Sequence, residues 1–114
     1  MRVLVCGSRH WTDQEALIER LCELPPSSHI IEGGAPGADT MAKQFAYNIG
    51  WPCTEVNADW EKYGKAAGPI RNRQMLDMKP DLVIAFHKDI SKSKGTRDTI
   101  EEAKKRGIPV ELIT

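Results

Sequence analysis

The chain has 114 residues, 40% hydrophobic and 28% charged, the balance of one ordinary globular domain and not of a disordered or fibrous chain. Sixteen basic side chains match sixteen acidic ones, so no overall field draws the molecule to nucleic acid or to an anionic membrane, and anion binding must be local. Cys6, Cys22 and Cys53 are odd in number and widely spaced; they read as buried thiols in a reducing compartment, with neither a disulfide framework nor a CxxC metal site.

Val3 to Cys6 is an apolar run bounded by glycine, the pattern of a strand covered on both faces. It is far too short for a signal peptide or a membrane span, which predicts a soluble, cytoplasmic protein. A helix follows, capped by Thr12 or Asp13, with Leu17, Leu21 and Leu24 on one face and Pro25-Pro26 at its end. Ile30-Ile31 is a second strand that runs into the glycine-rich segment from Glu32 to Asp39. Met41, Ala42, Phe45, Ala46 and Ile49 then have helical spacing, ended by Gly50 and Pro52.

Cys53 to Val56 is a third strand, and the polar and aromatic stretch from Asn57 to Lys65 reads as a long functional loop. Pro69 suits the first turn of a third helix, continued by Ile70, Met75, Leu76 and Met78 and broken at Lys79-Pro80. Leu82 to Phe86 is the clearest buried strand. A flexible polar loop from His87 to Lys94 leads to Gly95-Thr96, a last helix from Thr99 to Arg106, a stop at Gly107 and a fifth strand from Pro109 to Ile113 that belongs at an edge. Five strands alternating with four helices predict a Rossmann-like three-layer α/β sandwich around a mostly parallel sheet, formed by residues 1–114 as a single domain.

Such a fold binds ligands outside the carboxyl ends of its strands, and four segments with anion-binding chemistry fall there. Gly7-Ser8-Arg9 joins a glycine that admits close backbone approach to a hydroxyl and a guanidinium fork. Gly33, Gly34 and Gly37 shape a strand-to-helix turn whose N–H groups donate to an anion, and Asp39 either caps that helix or accepts from a ribose hydroxyl. No Lys-Ser or Lys-Thr pair follows these glycines, which excludes a Walker loop. Between Asp59 and Arg73, Trp60 or Tyr63 offers a base-stacking ring, Lys65 and Arg71 offer phosphate contacts, and Asn72 adds an amide. Gly95 and Thr96 close the set. The three histidines, His10, His29 and His87, have no metal-ligand spacing, and no metal or cofactor is called for.

Across nearly its whole length the chain resembles the SLOG superfamily, named for the SMF/DprA and LOG proteins, and within it the small YspA-like branch. The resemblance rests on GSRHW at Gly7 to Trp11, EGGAPGAD at Glu32 to Asp39, ADWEKYGKAAGPIRNRQM at Ala58 to Met75, and SKGTRDTI at Ser93 to Ile100. It implies a Rossmann-like fold with a pocket for nucleotides or nucleotide-derived ligands, and self-association as a homodimer or higher oligomer. LOG relatives cleave the N-glycosidic bond of a nucleoside monophosphate and carry PGGxGTxxE; Gly95-Thr96 matches its glycine-threonine pair, while Thr99 stands at the glutamate position.

The expectation is therefore a domain that senses or sequesters a phosphate-bearing nucleotide or nucleotide derivative. One alternative is a phosphoribohydrolase in which Asp39, Asp59 or Asp98 supplies the carboxylate that an oxocarbenium-like transition state requires. The other is a DprA-like accessory protein for single-stranded DNA, which the neutral charge disfavours.

Overall fold

The computed structural model describes residues 1–114, and its central strands carry apolar side chains on both faces. In β1 (Arg2–Gly7), Val3 and Val5 point to one side and Leu4 and Cys6 to the other, as a two-residue period requires. The chain continues through α1 (Gln14–Cys22), β2 (His29–Glu32), α2 (Ala38–Ile49), β3 (Cys53–Glu55), α3 (Trp60–Tyr63), α4 (Ala67–Asp77), β4 (Leu82–Phe86), α5 (Lys94–Lys105) and β5 (Val110–Ile113).

The strands lie in the order β3-β2-β1-β4-β5, and every neighbouring pair is parallel. On one face, Leu17 and Leu21 of α1 and Ala42, Phe45 and Ala46 of α2 pack on Val3, Val5, Ile30, Ile84 and Phe86. Trp11 completes this layer with its ring 5.6 Å from that of Phe86. On the other face, Met75 and Leu76 of α4 and Ile100 and Ala103 of α5 cover Leu4, Cys6, Ile31, Val83 and Ala85. The three-layer Rossmann-like architecture is as the periodicity implied, with a sheet that is wholly parallel.

Strand order reverses between β1 and β4. From β1 the chain passes to α1 on one face, and from β4 to α5 on the other, so the two connections part and leave a crevice above the carboxyl ends. β5 does lie at an edge, and Pro109, which cannot donate to a ladder, precedes its first residue.

Several element boundaries differ from the sequence reading, each for a local reason. Asp13, not Thr12, caps α1 by accepting from the Ala16 N–H. The stretch from Asn57 to Lys65 is not a plain loop: the Asp59 side chain accepts from the Lys62 N–H and starts α3, and a 3-10 turn over Gly64–Ala66 leads into α4. Helix α5 begins at Lys94, five residues before Thr99, because Ser93 Oγ accepts from the Thr96 N–H at 3.1 Å. The polar run before it is also ordered, as a 3-10 turn over Ile90–Lys92 capped by Asp89. Of the three cysteines only Cys6 is buried; Cys22, at the end of α1, and Cys53, at the start of β3, are exposed. No helix is long and apolar enough to cross a membrane.

Candidate functional site

The loop after β1 is held rigidly by its neighbours. Gly7 has φ +155°, and a Cβ there would come under 3.0 Å from the Phe86 carbonyl, so only glycine lets β1 and β4 stay paired at this point. The Ser8 N–H donates to the Phe86 carbonyl at 2.9 Å, and the Ser8 carbonyl accepts from the N–H groups of Trp11 and Ala38. Gly37, at φ +80°, nests against that same Ser8 carbonyl. The first two glycine segments of the sequence thus interlock, and Arg9 and His10 project above the strand ends.

Asp39 lies in the first turn of α2 but does not cap it; the N-cap is Gly37, which contributes no side-chain bond. Its carboxylate reaches backwards, accepting from the Gly33 N–H at 2.9 Å, and only 5% of the residue is exposed. Burial pushes this carboxyl up to about 6, against the opposing pull of the Gly33 and Ala35 N–H groups and of Arg71.

Arg71, in the second turn of α4, donates from Nη1 to the Gly33 carbonyl at 2.6 Å and from Nε to Asn72 Oδ1 at 3.1 Å. Asn72 is buried, and its Nδ2 donates to Asp98 Oδ2 and to the Gly95 carbonyl. The adjacent pair Arg71-Asn72 therefore ties the glycine loop after β2 to the first turn of α5.

At that turn the Lys94 and Gly95 amides have no intrahelical acceptor, and the helix end carries partial positive charge. Nothing lies within 4 Å of where a Gly95 Cβ would stand, so the protein's own packing does not demand glycine there. Thr96 and Thr99 are buried beneath, and the Thr99 hydroxyl donates to the Gly95 carbonyl at 3.2 Å.

These parts enclose a cleft of about 450 Å³ at the reversal point. Gly7, Ser8, Arg9, Asp39, Arg71, Asn72, Gly95 and Thr96 all line it, as do Lys92 and Lys94. Four cations face a single carboxylate, and none of Arg9, Arg71, Lys92 and Lys94 takes part in a salt bridge. A second cleft of about 410 Å³ adjoins the first; it shares Arg9, Ala35 and Arg71 with it and adds Gly33, Gly34 and Trp60.

Three residues singled out in the sequence stand elsewhere. Asp59 is occupied as the cap of α3, Lys65 lies in the 3-10 turn away from both clefts, and Asp98 is bonded by Asn72 and lies 3.5 Å from Arg73. Gly37 borders a shallower hollow beside the first cleft. No group of three His, Cys, Asp or Glu side chains is placed to hold a metal ion.

Sequence reasoning missed Glu32. It ends β2 fully buried, in register with Glu55 of β3, and its Oε2 accepts from the Gly34 N–H at 2.5 Å while Oε1 has no partner. Burial raises its carboxyl to about 7, and the neighbouring Glu55 adds to the rise. A glutamate directly after Ile30-Ile31 and before two glycines was the available signal.

Asp39 and Glu32 make stability depend on pH with a definite sign. Both have folded values above their ordinary ones of 3.8 and 4.5, so the folded state holds protons that the unfolded chain releases. Their contribution is complete below about pH 4 and is lost as pH rises through about 6 and 7. Urea unfolding is expected to show a loss on the order of 5 kcal/mol between about pH 4 and pH 7.5, with a shallower slope in Asp39→Asn. A slope of opposite sign, or one unchanged in that variant, would contradict the assignment.

The model of the YspA, cpYpsA-related SLOG family matches residues 1–63. "Gene 61 protein" of Mycobacterium phage D29 is 40% identical over 118 residues, covering 96% of this chain and 93% of the phage protein. The chain belongs to this SLOG family. Its fold is similar to the X-ray structure of DNA processing protein A (DprA) from Streptococcus pneumoniae, with a TM-score of 0.81 at 23% identity over 99% of the chain. This SLOG chain spans 50% of the DprA chain.

Proposed function

We propose that residues 1–114 act as one domain that binds a phosphate-bearing nucleotide or nucleotide-derived ligand in the cleft between the ends of β1 and β4. The observation that carries this reading is the meeting of unpaired cations with the open amino end of α5 at a strand-order reversal. A phosphate there accepts from the Lys94 and Gly95 amides and is neutralised by Arg9, Lys92 and Lys94. Membership of the SLOG family supports the same reading.

Binding without turnover fits the site better than hydrolysis. Thr99 stands where LOG relatives carry glutamate, and its hydroxyl is committed to the Gly95 carbonyl. Asp39, the one carboxylate lining the cleft, is held by the Gly33 N–H.

Gly95 gives the sharpest test. Because its Cβ position is empty, Gly95→Ala is expected to leave the melting temperature unchanged or raise it slightly, since alanine loses less backbone entropy in a helix. The added methyl occupies the approach to the amides, so calorimetric titration with AMP, GMP, CMP and UMP should show affinity weakened by about tenfold, roughly 1.4 kcal/mol. Equal affinities for wild type and variant would move the phosphate elsewhere. Absence of heat from every monophosphate at millimolar concentration would end the reading.

A further inference from the structure

The carboxyl end of β2 buries a polar group that phosphate binding does not use. Glu32 is fully buried, and while its Oε2 accepts from the Gly34 N–H at 2.5 Å, its Oε1 has no partner. An orphaned buried acceptor is costly enough that native folds almost always satisfy it. The side chain within reach is Glu55, which stands opposite Glu32 in the β2–β3 register. Two ionised carboxylates can only accept, and they repel each other; one proton between them turns the repulsion into a charge-assisted hydrogen bond.

The surroundings decide which group carries it. Glu55 accepts from Lys43 Nζ at 3.1 Å and from Asn57 Nδ2 at 3.2 Å, and these donors hold its carboxyl below the ordinary value. Glu32 has no cation bonded to it. It faces Glu55 and Cys53 from β3, Lys43 and Asp39 from α2, and only Val3 and Val5 from that side of β1. Arg71 of α4 is committed to the Gly33 carbonyl. The proton therefore belongs on Glu32, where burial pushes the carboxyl up to about 7.

The pair is also a mechanical joint. The Gly34 N–H hangs on Glu32, and a Cβ at Gly34 would strike Asn57 Oδ1 and meet Glu55 Cδ at 3.1 Å. On the strand side, the Val56 N–H donates to the Glu32 carbonyl at 2.8 Å, tying the end of β3 to β2. β3 is an edge strand of three residues, so it is the part free to move. We propose that Glu32 and Glu55 share one proton as a latch: while it is held, the end of β3 is clamped to the glycine loop, and its loss sets two charges against each other and swings that end outward. Gly34 and Asn57 both line the second cleft, so the latch sets its width. It operates in the free chain, whatever the clefts bind.

The test follows the free full chain by NMR between about pH 5 and pH 9. The side-chain carboxyl carbons of Glu32 and Glu55 are expected to move together through one step near 7, as two groups sharing a proton must. Protection of the Val56 amide, corrected for base catalysis of exchange, should fall about tenfold from about pH 6 to pH 8, the change that release of one such proton produces. It should stay below the protection of Ile84 in central β4, which marks the opening as local. In Glu32→Gln the amide donates permanently to Glu55, and Val56 protection should vary by less than about twofold over the same range. Glu55→Gln removes the facing charge and should move the Glu32 step to lower pH. A Glu32 signal that titrates with Glu55 unmoved would overturn the shared proton, a result that needs no variant to fold. A Val56 pH dependence identical in Glu32→Gln and wild type would overturn the latch. Neither result touches phosphate binding at α5.

Discussion

Gly7→Ala is expected to lower the melting temperature by roughly 10 °C or more, the consequence of about 3 kcal/mol of lost stability. Two effects add. At φ +155° an alanine is strained whatever the space, and its methyl would come under 3.0 Å from the Phe86 carbonyl and meet the Ala38 side chain at 3.0 Å. The clash is with backbone on one side and a fully buried helix residue on the other, so no side chain can swing away. Relief requires β1 and β4 to part at the carboxyl edge, which would break the Ser8 N–H bond to Phe86 and open the cleft. Gly107→Ala is the control: its φ of +73° carries strain but nothing lies within 4 Å, and a cost of about 1 kcal/mol is expected. Thermal unfolding that shows equal losses at the two positions would remove the steric half of this account.

Arg71→Leu should cost the largest share of ligand affinity, about 100-fold, or close to 3 kcal/mol. The guanidinium serves both clefts and supports their floor, since Nη1 holds the Gly33 carbonyl at 2.6 Å while Asp39 holds the Gly33 N–H from the other side. Leucine removes the charge, strands that carbonyl and leaves Asp39 without its nearest stabilising cation, so the pH dependence of stability should move to higher pH as well. Arg71→Lys is expected to recover part of the affinity, because an ammonium restores charge without the planar fork. Titration calorimetry and urea unfolding across pH read the two consequences separately. Unchanged affinity in Arg71→Leu would place the ligand away from the shared wall.

Much of the scaffold was legible in the chain because its signals are local. Continuous apolar runs such as Leu82 to Phe86 mark strands covered on both faces, and the alternation of such runs with helical spacing leaves a parallel sheet as the economical solution. The cleft segments could be named because parallel α/β sheets place their strand-to-helix turns on one edge. What escaped notice depends on partners distant in sequence. Asp39 at a helix start suggests a cap, yet its hydrogen bond runs back to Gly33, a geometry set by how the glycine loop folds over α2. Glu32 and Glu55 meet only because β2 and β3 pair in one particular register.

The start of α5 and the helical turn at Trp60 were misjudged for another reason. Each rests on one capping side chain, Ser93 or Asp59, within a run of polar residues that has no apolar period to follow. The same kind of ambiguity affected the glycines. Gly33 and Gly37 read as anion contacts, whereas their lack of a side chain first serves loop-on-loop packing against Arg71 and Ser8. Gly95 is the opposite case, a glycine that the fold does not require.

The placement of the thiols bears on how this molecule can be instrumented. Cys22 closes α1 and Cys53 opens β3, so both exposed sulfurs emerge at the amino edge of the sheet, on the far side from the cleft. Cys6, the one thiol beneath the cleft floor, is buried and its ionisation is strongly suppressed by desolvation. Burial and the nearby Glu32 and Glu55 carboxylates push the Cys53 thiol up to about 11, so a maleimide fluorophore or surface tether will attach at the rear rim chiefly through Cys22, and the protein can be immobilised there with the cleft facing outward.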